Sequence, residues 1–246
     1  MVRTVETSDG AALWTISGGQ GAPILLSNGG PGCCDYLEDM AALLEDRATV
    51  IRWEQRGCGR STADGRYDLA TAIEDMEAIR TAYGYDRWIA GGHSWGANLA
   101  LAYALEHPSR VTSVLYLAGN GAQNDRDWHA QYVAARDERP ERQPALAYPT
   151  NTEVNRVGNQ TWREYIRRPD FLRRVADLDI PILFVCAGLD IRPSWPVGQL
   201  AMLAKRGELR VIPEAEHYLH LSHPEELKGI LTQFLASLRK TPRPAS

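Results

Sequence analysis

The 246-residue chain contains no run approaching the eighteen or so apolar residues that a membrane helix needs. Its first residues, MVRTVETSDGAALW, also lack the basic, apolar and small-residue succession of a secretory signal. A soluble, cytoplasmic protein with no membrane partner is therefore expected. Only four cysteines occur, Cys33, Cys34, Cys58 and Cys186, with no CxxC pair and no histidine spacing suited to zinc. All four are expected to be reduced thiols, and neither a metal nor a cofactor is expected. Long blocks of one charge are missing too: 27 basic and 31 acidic residues are interspersed to a net charge of -4. That balance argues against a nucleic-acid partner and leaves a small molecule as the expected one. Lysine is scarce, three against 24 arginines, which reflects genome composition rather than chemistry. The oligomeric state is not legible in the sequence.

What is present is a hydrophobic fraction of 44%, enough for one large domain with a packed core. Short apolar runs recur at 13–16, 23–27, 49–53, 88–90, 111–118, 181–187 and 209–212, most of them bounded by glycine or proline. They read as strands, and runs such as ILFVCA, apolar at successive positions, read as strands covered on both faces. Helical patterns lie between them. Residues 72–83 place Ile73, Met76 and Ile79 on one stripe, 97–106 repeat leucine and alanine until Pro108, and Ser222 with Glu225 marks the start of a last helix running toward Leu238. Alternating strands and helices predict an α/β fold with a mostly parallel sheet.

One region breaks the alternation. Residues 121–175 hold no good strand, are interrupted by prolines and glycines, and mix charges with Trp128, Tyr132, Trp162 and Tyr165. They are expected to form a small helical cap over a core made of 1–120 and 176–246. The four aromatics would either line a small-molecule pocket or form the core of the cap. The last residues, 241–246, are expected to be frayed.

The chemistry centres on GGHSWGA, residues 91–97, directly after the apolar run at 88–90. Gly92-His93-Ser94-Trp95-Gly96 fits the G-x-S-x-G turn between a strand and a helix, in which the flanking glycines must lack Cβ atoms and the serine is held in a strained conformation at the carboxyl end of the sheet. Ser94 is the expected nucleophile. A serine hydroxyl needs an imidazole to take its proton, and the imidazole needs a carboxylate to fix its tautomer. In the chain order of this architecture the acid follows a later strand, which selects Asp190; Asp177 and Asp179 precede that strand and are expected to cap or to be solvated. The histidine follows the next strand, in EAEHYLHLSHPEEL. His217 is the expected base; His220 and His223 lie nearer the helix start and are expected in surface or capping roles, and His93 in packing. The oxyanion formed in acyl transfer would be met by the backbone N–H groups of Trp95 and of Gly30, the latter in Asn28-Gly-Gly-Pro-Gly32 after the strand at 23–27. Pro31 has no N–H to offer.

Three segments, NGGPG, Trp53-Glu-Gln-Arg-Gly-Cys-Gly-Arg-Ser61 and GGHSWGANLALAYALEHPSRV, together resemble the α/β-hydrolase superfamily and, within it, the proline iminopeptidase group. The likeness is strongest over about residues 20–120. It implies an α/β-hydrolase fold and a serine hydrolase forming an acyl-enzyme from a small amide, peptide or ester. Asn28, Glu54, His93 and Glu216 depart from the group's pattern. The cap departs furthest: ten arginines against eight acidic residues give 121–175 a formal +2, whereas binding a free amine needs unpaired carboxylates. An esterase or lactonase of specialised metabolism, and a ligand-binding receptor on a hydrolase scaffold, are the alternative readings.

Overall fold

All seven apolar runs read as strands are strands in the computed structural model, which describes residues 1–122, 126–139, 141 and 143–240, with side chains as far as Leu238. The tail at 241–246, expected to be frayed, lies outside the described residues. The strands are β2 (Ala12–Gly19), β3 (Ala22–Ser27), β4 (Ala48–Trp53), β5 (Trp88–His93), β6 (Val111–Leu117), β7 (Ile182–Ala187) and β8 (Gly207–Ile212), preceded by β1 (Val2–Glu6). β1 escaped the sequence pattern because only Val5 of its five residues is buried. The helices are α1 (Glu38–Ala42), α2 (Leu69–Ala82), α3 (Trp95–Glu106), α4 (Arg126–Glu138), α5 (Thr152–Ile166), α6 (Phe171–Asp177), α7 (Trp195–Leu203), α8 (Leu219–Ser222) and α9 (Pro224–Lys240).

The eight strands form one sheet in the order β1-β2-β4-β3-β5-β6-β7-β8. β2 is antiparallel to β1 and β4, and the remaining pairs are parallel. Because β4 is laid on one side of β3 and β5 on the other, the winding reverses between β3 and β5. At such a reversal the loops leaving the two carboxyl ends diverge and open a crevice, where ligands of open α/β sheets bind. The loops that emerge there are NGGPG after β3 and the serine turn after β5.

Strands buried on both faces explain the runs of successive apolar residues. Ile182, Phe184 and Cys186 of β7 pack on one side with α2, α3 and α7, and Leu183, Val185 and Ala187 pack on the other with α1, α8 and α9. α3 is enclosed all round, with every residue from Trp95 to Leu105 buried. Its small side chains let it lie close to the sheet: a Cβ on Gly92 would stand 2.1 Å from the Gly96 carbonyl oxygen, and one on Gly96 would stand 2.0 Å from that of Ser27.

The segment after β4 is held by buried charge. Arg56 donates to both carboxylate oxygens of Asp75 and to Asp9 and Asp64. Glu54, fully buried, accepts from the Asp35 and Arg60 backbone amides and from the Arg60 guanidinium. These pairs give the Trp53 to Ser61 segment a structural role: they tie it to Asp35, to the Asp9 and Asp64 turns and to α2.

Adding one methyl group distinguishes the crowded glycine from an open one. Gly96→Ala is expected to abolish cooperative folding or lower the melting temperature by well over ten degrees, since the clash is with backbone. Gly198→Ala, in α7 with nothing within 4 Å of the added atom, is expected to be neutral or to stabilise by about 0.5–1 kcal/mol. Thermal melts of the two variants check this.

Candidate active site

Ser94 occupies the turn between β5 and α3 with φ 57° and ψ -122°, a left-handed backbone that a side chain tolerates only under constraint. The constraint is the approach of α3 to the end of β3, with the Ser94 amide donating to the Leu117 carbonyl at 2.8 Å. The NGGPG loop lies directly against the serine, for a Cβ on Gly29 would come 2.5 Å from Ser94 Cβ. Gly29 N–H is committed to the Tyr36 hydroxyl at 2.8 Å. Among the described residues, neither Gly30 N–H nor Trp95 N–H donates to a protein acceptor.

The loop after β8 carries His217, buried, with Nδ1 2.6 Å from Asp190 Oδ2 in the loop after β7. Burial pushes the Asp190 carboxyl up, but the His217 imidazole, its hydrogen bond and the Arg192 guanidinium outweigh that and leave it below the usual carboxylate range. An ionised Asp190 can only accept, so Nδ1 carries a proton, and in the neutral ring the lone pair is on Nε2. The second oxygen, Oδ1, accepts from Arg192 at 3.1 Å and from the Arg192 amide at 2.9 Å. Arg192 also donates to Glu141 at 2.5 Å and lies 5.7 Å from the centre of the Tyr132 ring. Glu141, Asp190 and His217 present ligand atoms within 4.8 Å of one another, but the guanidinium already supplies the cation of this group.

His93 was expected to pack, and it is fully buried; it also makes two hydrogen bonds, Nδ1 to the Tyr36 hydroxyl at 2.7 Å and Nε2 to the His217 carbonyl at 2.9 Å. The surface or capping role expected of His220 is corrected: it is 2% exposed, stacked on Tyr36 at 6.3 Å between ring centres, with neither ring nitrogen hydrogen-bonded. The helix start is also displaced. α9 begins at Pro224, with the His223 carbonyl accepting from Leu227, while the Ser222 hydroxyl accepts from the Glu216 amide and ties down the histidine loop.

The four cap aromatics part company. Trp128 and Tyr132 of α4 stack at 5.5 Å and dock on the Asp190 loop, Trp128 Nε1 donating to the Pro193 carbonyl at 2.9 Å. Trp162 and Tyr165 of α5 pack with Phe171 in the main core rather than in a separate core of the cap. Tyr165 also lines a cavity of about 580 Å³ between α2, α3 and α5 that includes none of Ser94, Asp190 and His217. A cavity of about 280 Å³ beside His217 is walled by Glu138, Arg139, Glu141, Leu189, Ile191 and Glu216. α5 roofs the serine turn from above: Trp95 Nε1 donates to the Gly158 carbonyl at 3.2 Å, and Asn151 N–H donates to Gly32. Tyr36, Glu141 and Arg192 were missed by sequence reasoning, since a lone tyrosine and an unpaired charge in a loop carry no pattern.

Residues 22–148 match the family described as alpha/beta hydrolase fold. The chain belongs to that family. This α/β-hydrolase is 24% identical over 268 residues to a proline iminopeptidase of Heyndrickxia coagulans, covering 89% of this chain and 92% of the relative. It is 37% identical over 100 residues to a proline iminopeptidase of Xylella fastidiosa, a match of 39% of this chain and 31% of that one. Among solved structures it resembles a thermophilic esterase from Thermogutta terrifontis, at 20% identity and a TM-score of 0.78 over 97% of this chain and 99% of that one, a likeness of fold. No helix of the described residues is long and apolar enough to cross a membrane.

Burial of His220 makes stability depend on acid. Burial lowers its pKa to about 4, with His217 adding to the effect and Asp39 opposing it, whereas the unfolded imidazole titrates near 6.5. The stability this group contributes is intact above pH 6.5 and lost as pH falls toward 4, about 2 kcal/mol of it between pH 7 and pH 5. In His220→Leu the difference in urea unfolding free energy between those two pH values is expected to shrink by about that amount; an unchanged difference would contradict the assignment.

Proposed function

We propose that this α/β-hydrolase is a serine hydrolase acting through an acyl-enzyme at Ser94 on a small amide, peptide or ester. The observation that carries the reading is the 2.6 Å bond between His217 Nδ1 and Asp190, on a histidine whose strand-end loop faces the strained turn that presents Ser94. With Nδ1–H held by Asp190, Nε2 is the basic nitrogen and takes the Ser94 proton as Oγ attacks the carbonyl carbon. The tetrahedral oxyanion is met by Gly30 N–H and Trp95 N–H, which are uncommitted, while Gly29 N–H is held by Tyr36. His217 then protonates the leaving nitrogen or oxygen, and water repeats the sequence on the acyl-enzyme. No cofactor enters this scheme, and the partner is a small-molecule substrate.

The formal +2 of residues 121–175 favours a substrate without an obligatory ammonium group. Beside His217, Glu141 is paired with Arg192, which also holds Asp190, and Arg139 shares the cavity with Glu138 and Glu216. The peptidase reading rests on relatives of that name, and the esterase reading on a likeness of fold alone.

Ser94→Ala and His217→Ala are each expected to lower kcat/KM on p-nitrophenyl acetate or a prolyl amide by three or more orders of magnitude with melting temperature preserved, whereas His223→Ala keeps most activity. Near-wild-type turnover by Ser94→Ala would end the acyl-enzyme reading. N-acetylation of the prolyl amide is expected to reduce kcat/KM by less than about tenfold, or roughly 1.4 kcal/mol. Near-complete loss on acetylation would show instead that the amine is read.

A further inference from the structure

His93 is joined in sequence to Ser94 and in space to the carbonyl of His217 itself. A carbonyl oxygen can only accept, so His93 Nε2 carries the ring proton. A neutral ring then leaves Nδ1 as an acceptor, and the Tyr36 hydroxyl must donate to it; the Tyr36 oxygen in turn accepts from Gly29 N–H. The pattern runs in one direction without a conflict: Gly29 N–H to Tyr36, Tyr36 O–H to His93, His93 N–H to His217. Every group along it is used once, and the ring has no spare hydrogen-bonding capacity. Burial, with the His217 and His220 rings beside it, holds the His93 pKa well below the ordinary histidine range, so the ring stays neutral and the pattern does not reverse.

Three parts of the site therefore meet on one imidazole: the turn carrying the nucleophile, the loop carrying the base, and the loop carrying the Gly30 amide, whose preceding residue is fixed through Tyr36. We propose that His93 is a positioning residue that clamps these three loops in register for attack on the acyl group. The inference rests on the serine-hydrolase reading. A residue serving only to fill space at this point would need no nitrogen, and a thioether of similar volume would replace it. Loops that depend on one another for placement within a fraction of an ångström lose rate when the tie is cut, by up to about a hundredfold for a displacement near 1 Å. Substrate binding, made by other surfaces, is left in place.

The test uses a fluorophosphonate probe on the intact chain, reading the maximal labelling rate of Ser94 separately from the apparent probe affinity. Tyr36→Phe keeps the aromatic ring and removes the hydroxyl, which is both the donor to His93 and the acceptor from Gly29 N–H; His93→Met keeps volume without nitrogens; His93→Gln restores a donor and an acceptor. Tyr36→Phe and His93→Met are expected to slow maximal labelling by about tenfold to a hundredfold with affinity changed less than twofold. The double variant is expected to be no slower than His93→Met alone, since both act through one tie. His93→Gln is expected to recover most of the loss. Labelling of Tyr36→Phe or His93→Met within twofold of wild type, or His93→Gln no faster than His93→Met, overturns the clamp while leaving the hydrolase reading intact. Should His93→Met fail to fold, Tyr36→Phe decides. A wild-type chain that is not labelled at Ser94 overturns the hydrolase reading and the clamp with it.

Discussion

The close approach of α3 to the end of β3 governs this structure. Gly96 rests on the Ser27 carbonyl with no room for a side chain between them, and the chain leaving β5 must therefore turn sharply enough to put Ser94 at positive φ. A non-glycine residue in that region carries about 1–3 kcal/mol of strain, which persists only where the surroundings over-determine it. Here the surroundings are the enclosed α3 beneath and the NGGPG loop pressed against the serine from the side. The same approach sets the height of the two free amides, Gly30 and Trp95, relative to the hydroxyl. On the proposed mechanism, placement of the Ser94 hydroxyl and of the two amides is thus one geometric matter, with a single cause in the packing of a helix on a strand.

Most of the sheet was legible because strands buried on both faces leave unbroken apolar runs, as β3 to β7 do, while β8, an edge strand with only Ile212 buried, was legible from its apolar residues at 209–212. β1, an edge strand with one buried residue, leaves no such trace. The serine turn was legible because sterics permit so few residues there. The pairing of Asp190 with His217 was legible from chain order, which follows from the winding of the sheet. The histidine cluster was harder: His217 and His220 are three residues apart in the same loop, and whether a ring faces a carboxylate or a tyrosine depends on α8, a single turn with no periodicity to read. The bonding of His93 was invisible for the same reason, since Tyr36 is 57 residues away in the chain.

Two groups of charge meet at loops of this protein. Arg56 gathers three aspartates under the segment after β4, and Arg192 joins Glu141 to Asp190 under the cap. Such pairs add little net stability over apolar packing, but each specifies a geometry that apolar packing leaves loose, and removing one partner strands the other. Their placement follows the need: the sheet fixes its own register by backbone bonds, while the loops above it have none to spare.

The enclosure of α3 has a dynamic consequence. A helix with no solvent-facing side exposes its amides to exchange only when the whole domain opens, so the platform beneath the serine belongs to the slowest-exchanging part of the molecule. α4 is its opposite, with Trp128 alone of its residues buried, held mainly by aromatic contacts to the Asp190 loop. The two sit at opposite ends of the local-stability scale within one site. Motions of α4 can therefore be frequent without loosening the turn that carries Ser94.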